Sequence, residues 1–341
     1  MAEHPKPAQL EPSPLGTKQY WDEVYATELT NHASNPREEG TVWFDDSDAE
    51  AKILDFLESH VGGDRTTAAA AAAGGDDDHL APPALDKATA SFLDLGCGNG
   101  SLLFALRDAG WRGPLLGVDY SEASVKLARQ VAAARAERRR RRELRRLRRR
   151  QERGQVEDDG ASESEATSDE EDEDDDVVRE DGPPQSHPSA SPPGPEDVVF
   201  RVWDVLAGPL DAVRVSTVAG AGGPSTAADD DGTTAGWDVV LDKGTFDAVS
   251  LSDERDPSTG CRVFEGYGAR VLSLLRRGGV FLVTSCNWTE EELRAWFEAG
   301  SSGEEDGGGS KLVQVGRVQY PSFSFGGVKG QTISTVCFQK V

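Results

Sequence analysis

The sequence predicts an α/β fold, a mostly parallel sheet of seven strands with helices between the first five and a closing antiparallel hairpin. Two observations carry this. Short apolar runs alternate with longer helical patterns, first at Ser91–Leu95, Ser101–Ala109 and Leu115–Asp119, then in a helix opened by Ser121. Strand, helix, strand, helix at that spacing is the signature of crossover connections between parallel strands. The first strand also ends in Gly96, Gly98 and Gly100, a glycine turn that opens a helix.

Taken in order, residues 1–14 are Pro-rich and read as a disordered tail. From Leu15 the sequence becomes specific, and Tyr20, Val24 and Leu29 share a helical face with Trp21 and Tyr25 beside it. Val42-Trp43-Phe44 follows, and Asp45–Asp48 offer N-caps for a helix through Ile53, Leu54 and Leu57. Later strands are expected at Val198–Trp203, Trp237–Leu241 and Gly279–Ser285, with a helix across roughly 260–276 between the last two. Thr289 and Glu292 form a capping box for another helix. After the stretch 300–310, Leu312–Val318 and Thr332–Gln339 alternate like antiparallel strands.

Three stretches interrupt this order, at about 62–88, 135–196 and 207–236. The first and third are rich in Gly, Ala and Asp and bury too little apolar surface to offset chain entropy. In the second, residues 135–153 hold twelve Arg against three Glu, and residues 154–181 hold fifteen acids against Arg179 alone. It reads as a surface insertion within a single domain over 15–341, its basic and acidic halves neutralising each other and the Arg run continuing the preceding helix into solvent, because long surface insertions cost little. A nuclear signal or RNA-binding arm is the other reading of the Arg run.

Composition excludes several classes. The formal net charge of −25 disfavours broad binding to nucleic-acid phosphates. The longest apolar run, Ala68–Ala73, is far short of a membrane span, and the N-terminus lacks the apolar segment of a secretory signal. Cys97, Cys261, Cys286 and Cys337 form no CxxC pair, which fits reduced thiols in the cytoplasm, or in the nucleus if the Arg run is an address, and gives no metal site. No long apolar surface stripe asks for a partner copy, so a monomer is expected.

The chemistry concentrates at Asp94-Leu95-Gly96-Cys97-Gly98-Asn99-Gly100. A dinucleotide fingerprint needs G-x-G-x-x-G, whereas these glycines run G-x-G-x-G and position 101 is Ser. The loop therefore suits a cofactor without a pyrophosphate, with room for an amino-acid moiety at Gly96 and Gly98. Asp119, ending the second strand, is placed to accept two ribose hydroxyls, and Asp204, ending the third, an adenine amino group. The alternative for each is a loop cap. Tyr20, Trp21, Tyr25, Trp43 and Phe44 read either as a lid over the site or as a helix packed on the sheet edge. Cys97 and Cys286 have no His nearby in sequence and read as structural.

Asp94–Gly100 with Asp119 resembles the class I S-adenosylmethionine-dependent methyltransferases. Thr17–Tyr25, Val42–Phe44, Leu241–Ala248 (Leu-Asp-Lys-Gly-Thr-Phe-Asp-Ala) and Thr284–Thr289 (Thr-Ser-Cys-Asn-Trp-Thr) resemble more narrowly the family that methylates a lysine of translation elongation factor 1-alpha. The chain resembles a fungal-type member and departs from the family pattern in its long low-complexity insertions at 62–88, 135–196 and 207–236. The resemblance implies a Rossmann-like sheet of order 3-2-1-4-5-7-6 with the last strand antiparallel, S-adenosyl-L-methionine as cofactor, and elongation factor 1-alpha as partner. Carried onto this sequence, it implies cofactor contacts from Trp21, Asp94, Gly96, Gly98, Gly100, Asp119, Tyr120, Asp204 and Asp242. Asp242 and Phe246 would be catalytic, with Asp242 orienting the amine or taking its proton, or else only capping a turn. Trp43, Lys243, Thr245, Asn287 and Trp288 would meet the substrate. Another protein or a small molecule as acceptor is the alternative; a base-methylating enzyme would carry an Asn/Asp-Pro-Pro-Tyr/Phe segment where this chain reads Asp242-Lys243-Gly244-Thr245-Phe246.

Overall fold

In the computed structural model, residues 7–62, 82–158, 198–218, 236–299, 309–325 and 328–341 are described. The chain divides into two units, one formed by residues 1–132 with 194–341 and the other by 133–193. The first unit holds the sheet. Helices α1 (Lys18–Ser34) and α2 (Ala49–Glu58) precede it. Then β1 (Phe92–Leu95), α3 (Ser101–Asp108), β2 (Leu115–Asp119) and α4 (Glu122–Asp158) follow, α4 running on into the second unit. After β3 (Val199–Val202) come β4 (Trp237–Lys243), α5 (Thr245–Ser250), α6 (Tyr267–Leu274), β5 (Leu275–Ser285) and α7 (Glu290–Ala299). β6 (Leu312–Val318), β7 (Ser322–Phe325), β8 (Val328–Gln331) and β9 (Ser334–Lys340) complete the chain.

The main sheet runs β3-β2-β1-β4-β5-β9-β6, while β7 and β8 form a separate hairpin. β1 to β5 pair in parallel, and β9 lies antiparallel between β5 and β6. The seven-stranded order is thus the one the resemblance implied, and the extra hairpin was not foreseen. Strand alternation divides the core. Leu93, Leu95, Phe281, Val283, Val336 and Phe338 join one apolar cluster; Phe92, Val280, Leu282 and Cys337, one residue out of step, join the other. Both faces of the parallel strands are therefore covered, as crossover helices require.

Several sequence expectations shift. The inward face of α1 is Trp21, Tyr25, Leu29 and His32, at helical spacing, rather than Tyr20 and Val24. The tail is anchored from residue 9 onward: the Gln9 amide donates to Glu265, Leu10 packs on the core, and the Ser13 N–H donates to the Leu251 carbonyl. The expected loop at 207–236 starts with packed structure, because Val213 and Val215 are buried in the first cluster and the Trp237 indole donates to the Val213 carbonyl. Leu85, within the expected loop 62–88, is buried and bridges to Val61. The Arg run, by contrast, continues α4 as expected, to Asp158. The rest of those three stretches (63–81, 159–197 and 219–235), residues 1–6 and 300–308 lie outside the described residues.

Candidate active site at the carboxyl edge of the sheet

Each parallel strand delivers its last residues to one edge, where open α/β sheets bind ligands. β1 ends in Asp94 and the glycine loop. Gly96, Gly98 and Gly100 all have positive φ, at 64°, 55° and 84°. Residues with a side chain adopt that region at a cost. The space is also taken. A Cβ on Gly96 would overlap the Thr245 hydroxyl, and one on Gly98 would lie 2.7 Å from the Tyr25 hydroxyl. The loop is thus pressed between α5 and α1.

Asp94 is buried, and among the described residues no donor hydrogen-bonds its carboxylate. Burial pushes its carboxyl up to about 8; Lys243 opposes this, while Glu50, Asp242 and Asp119 add to it. A buried carboxyl without a donor is costly and calls for a cationic or donor partner. Asp119 contrasts with it. Its Oδ2 accepts from the Gly98 N–H at 3.2 Å and the Ser124 hydroxyl at 2.8 Å, and its Oδ1 accepts from the Ser121 N–H at 2.9 Å. Asp119 thereby fixes the glycine loop against β2, and Oδ1 retains acceptor capacity. Tyr120 beside it carries the Lys18 ammonium 5.6 Å from its ring centroid. Asp204 caps its own turn, accepting from the Leu206 N–H at 2.8 Å.

In the aromatic group, Trp21 and Tyr25 of α1 pack on the second core cluster. Trp21 stacks on Tyr25 at 6.3 Å between centroids and meets the edge of Trp43 at 5.3 Å. The Trp21 indole donates to the Leu15 carbonyl. Trp43 remains partly exposed, and Phe44 packs toward Gly244 beyond β4. Phe44 and Asp48 have positive φ, 64° and 53°. Strain of this kind at non-glycine positions gathers at functional sites.

Four expectations from the sequence need correction. Phe246 is 1% exposed and lies among Phe264, Tyr267, Trp288, Trp296 and Phe297, so it is core and touches no open site. Trp288 is 3% exposed and its indole donates to the Ser250 hydroxyl, which removes it from the substrate rim. The Thr245 hydroxyl donates to the Leu95 carbonyl at 2.6 Å and ties α5 to β1 instead of facing a substrate. Lys243 is also engaged internally, donating to the Trp43 carbonyl at 3.1 Å and pairing with Glu50 at 3.4 Å.

Asp242 resolves toward the capping alternative. It is 1% exposed and accepts from the N–H groups of Thr245 and Phe246 and from the Tyr267 hydroxyl at 2.6 Å. Those three donors engage both carboxylate oxygens and start α5. Burial still pushes its carboxyl up to about 7, with the Tyr267 hydroxyl opposing. Asn287 is exposed just past β5, where Asp247 and Ser285 hold the turn through the Cys286 and Asn287 N–H groups. Burial raises both Cys97 and Cys286, the latter to about 12, so neither is a thiolate near neutrality. Sequence reasoning missed Glu50, whose Oε1 accepts the Ser101 hydroxyl at 2.5 Å. It also missed that Tyr25 covers Gly98. Neither has a local signal, since both arise from packing between distant segments.

The carboxyl-edge site and the seven-stranded order define a class I methyltransferase, whose cofactor is S-adenosylmethionine. Residues 86–146 match the model of a methyltransferase domain. Over 98% of its length the chain is 31% identical to protein-lysine N-methyltransferase EFM4 of Saccharomyces cerevisiae, covering 97% of that protein. Identity to efm4 of Schizosaccharomyces pombe is 29%, over 97% of this chain and 95% of that one. The human protein named EEF1A lysine methyltransferase 2 is 24% identical over 97% of this chain and 88% of its own length. The chain belongs to the EFM4 family of protein-lysine N-methyltransferases.

The residues present fit the cofactor. Asp94, a buried carboxyl with no donor among the described residues, leads into the glycine loop, where Gly96 is exposed, and Asp119 keeps acceptor capacity beside it. Sulfonium and ammonium charges suit both this carboxylate and aromatic ring faces.

Proposed function

We propose that this enzyme methylates a lysine of translation elongation factor 1-alpha. The observation that carries the reading is near-end-to-end similarity to relatives whose names specify EEF1A, over a site with an unpartnered buried Asp94. In this reading Asp94, Gly96 and Gly98 receive the amino-acid end of the cofactor, Asp119 the ribose, and Tyr120 and Asp204 the base. Trp21 and Tyr25 roof the site, and Trp43 and Asn287 border the entrance for the lysine.

The cofactor supplies an electrophilic methyl group, so the protein's task is orientation and exclusion of water. Trp21, Tyr25 and Trp43 exclude water from one side. Asp242 acts at one remove by fixing the start of α5, and the lysine proton passes to solvent at the rim. We read the enzyme as a cytoplasmic monomer that does not need nucleic acid, the last supported by the net charge of −25.

The test is transfer of labelled methyl from S-adenosylmethionine to purified elongation factor 1-alpha, with peptide mass spectrometry to place the label. Label on a lysine, reduced at least ~100-fold in Asp94→Ala, is the expected result. Cofactor binding without transfer sends the search to other proteins or small molecules.

A further inference from the structure

We propose that Glu50 and Lys243 are a positioning pair that couples the cofactor loop to the substrate-side wall of the same site. This rests on the site reading above and adds a role that neither residue has in it. Glu50 Oε1 accepts the hydroxyl of Ser101, the first residue of the helix that the glycine loop opens. The same oxygen pairs with the Lys243 ammonium at 3.4 Å. Lys243 in turn donates to the carbonyl of Trp43 at 3.1 Å. One chain of contacts therefore links α3, α2, the end of β4 and the aromatic wall. The side chains are 11% and 17% exposed, so screening by water is limited.

The wall segment depends on such clamps. Phe44 and Asp48 sit at positive φ, a conformation that local preference opposes. Tertiary contacts hold it instead. Phe44 and Ala49 pack with Tyr320 and Ile333, and the Ser47 hydroxyl meets Thr332 at 3.1 Å. The Asn99 amide, from the glycine loop itself, donates to the carbonyls of Glu39 at 3.0 Å and Thr41 at 3.4 Å. Tyr320 and Ile333 support the segment from the connections just after β6 and just before β9; the Glu50–Lys243 pair and Asn99 connect it to the cofactor loop. An element whose strained backbone is held by tertiary contacts to both sides of the site is suited to responding to ligand at one end.

The experiment compares the full-length enzyme with Glu50→Gln, Lys243→Met and the double variant. Hydrogen exchange over residues 40–50 is measured with and without saturating S-adenosylmethionine, and cofactor affinity by calorimetry. In the unaltered enzyme, cofactor is expected to slow exchange in this segment at least ~5-fold. In each variant that protection should be largely lost while cofactor Kd changes less than ~3-fold. With elongation factor 1-alpha as acceptor, KM for the protein should rise ~5–10-fold with kcat little changed, and Lys243→Arg should recover part of it. The double variant should match the single ones, because the pair acts as a unit. Undiminished protection in the variants, absent protection in the unaltered enzyme, or multiplied effects in the double variant would overturn the proposal. If exchange behaves as expected but no transfer occurs, only the acceptor assignment fails.

Discussion

At the residue scale, Asp94 and Asp242 show what position at a strand end leaves undetermined. Both were legible as carboxylates at the carboxyl edge of the sheet. Their partners were not, because Tyr267 and the α5 N–H groups reach Asp242 through tertiary packing, whereas Asp94 has no donor among the described residues. The difference has a pH consequence. Burial raises Asp94 to about 8 and Asp242 to about 7, so the folded free enzyme holds protons that the unfolded chain, with ordinary carboxyls near 3.8, has released at neutral pH. Stability from these groups is therefore fully present below the unfolded value and is lost as pH rises through 7 and 8. The melting temperature of the free enzyme should fall from pH 5.5 to 8.5. Asp94→Asn should flatten that slope by the share of one of the two groups, and saturating cofactor should flatten it as well, since a cation favours the ionised carboxylate. A slope in differential scanning fluorimetry unaffected by the substitution would show that Asp94 does not titrate in this range.

At the element scale, local pattern was a good guide wherever a single segment decides its own structure. β2 and the glycine turn into α3 occupy the residues that alternation and glycine spacing indicated, and the Thr289–Glu292 box caps α7. It failed where a segment of low apolar content is recruited by others. Val213 and Val215 lie in a Gly/Ala/Asp-rich context, yet Trp237 and the first cluster bury them. The glycine turn offers a direct check on how elements meet. Gly96→Ala places a methyl in the left-handed region and against the Thr245 hydroxyl. The backbone part costs roughly 1–2 kcal/mol and the overlap about 1–3 kcal/mol. Together these should lower the melting temperature by roughly 5–15 °C for a domain of this size. Adding Thr245→Ala should recover the overlap part, less the hydrogen bond to the Leu95 carbonyl that it also removes, and leave the backbone part. A single variant as stable as the parent would mean that the loop relaxes away from α5.

At the scale of the whole molecule, the sheet unit closes on itself without the second unit. The core face of α4 is formed by Val125, Leu127, Ala128 and Val131, all before the boundary at Ala132. β3 then pairs with β2 through Leu116–Val199 to Asp119–Val202, and Phe200 packs beneath Gly100 and Gly117. The Arg-rich run contributes none of these residues, and its two leucines, Leu144 and Leu147, are exposed. Chain closure also favours a shorter connection, since loop entropy changes by only about 0.6 kcal/mol for each doubling of length. Replacing residues 138–194 with a flexible linker of about ten residues should therefore leave a cooperative thermal transition within a few degrees of the parent, and cofactor affinity within ~2-fold. Because α3, α4 and β3 converge behind the glycine loop, calorimetry with S-adenosylmethionine reports on that junction as sensitively as melting does. A shortened protein that melts normally but binds cofactor ten times more weakly would show that the run beyond Glu137 helps hold the loop. Loss of the cooperative transition would make the second unit part of the fold.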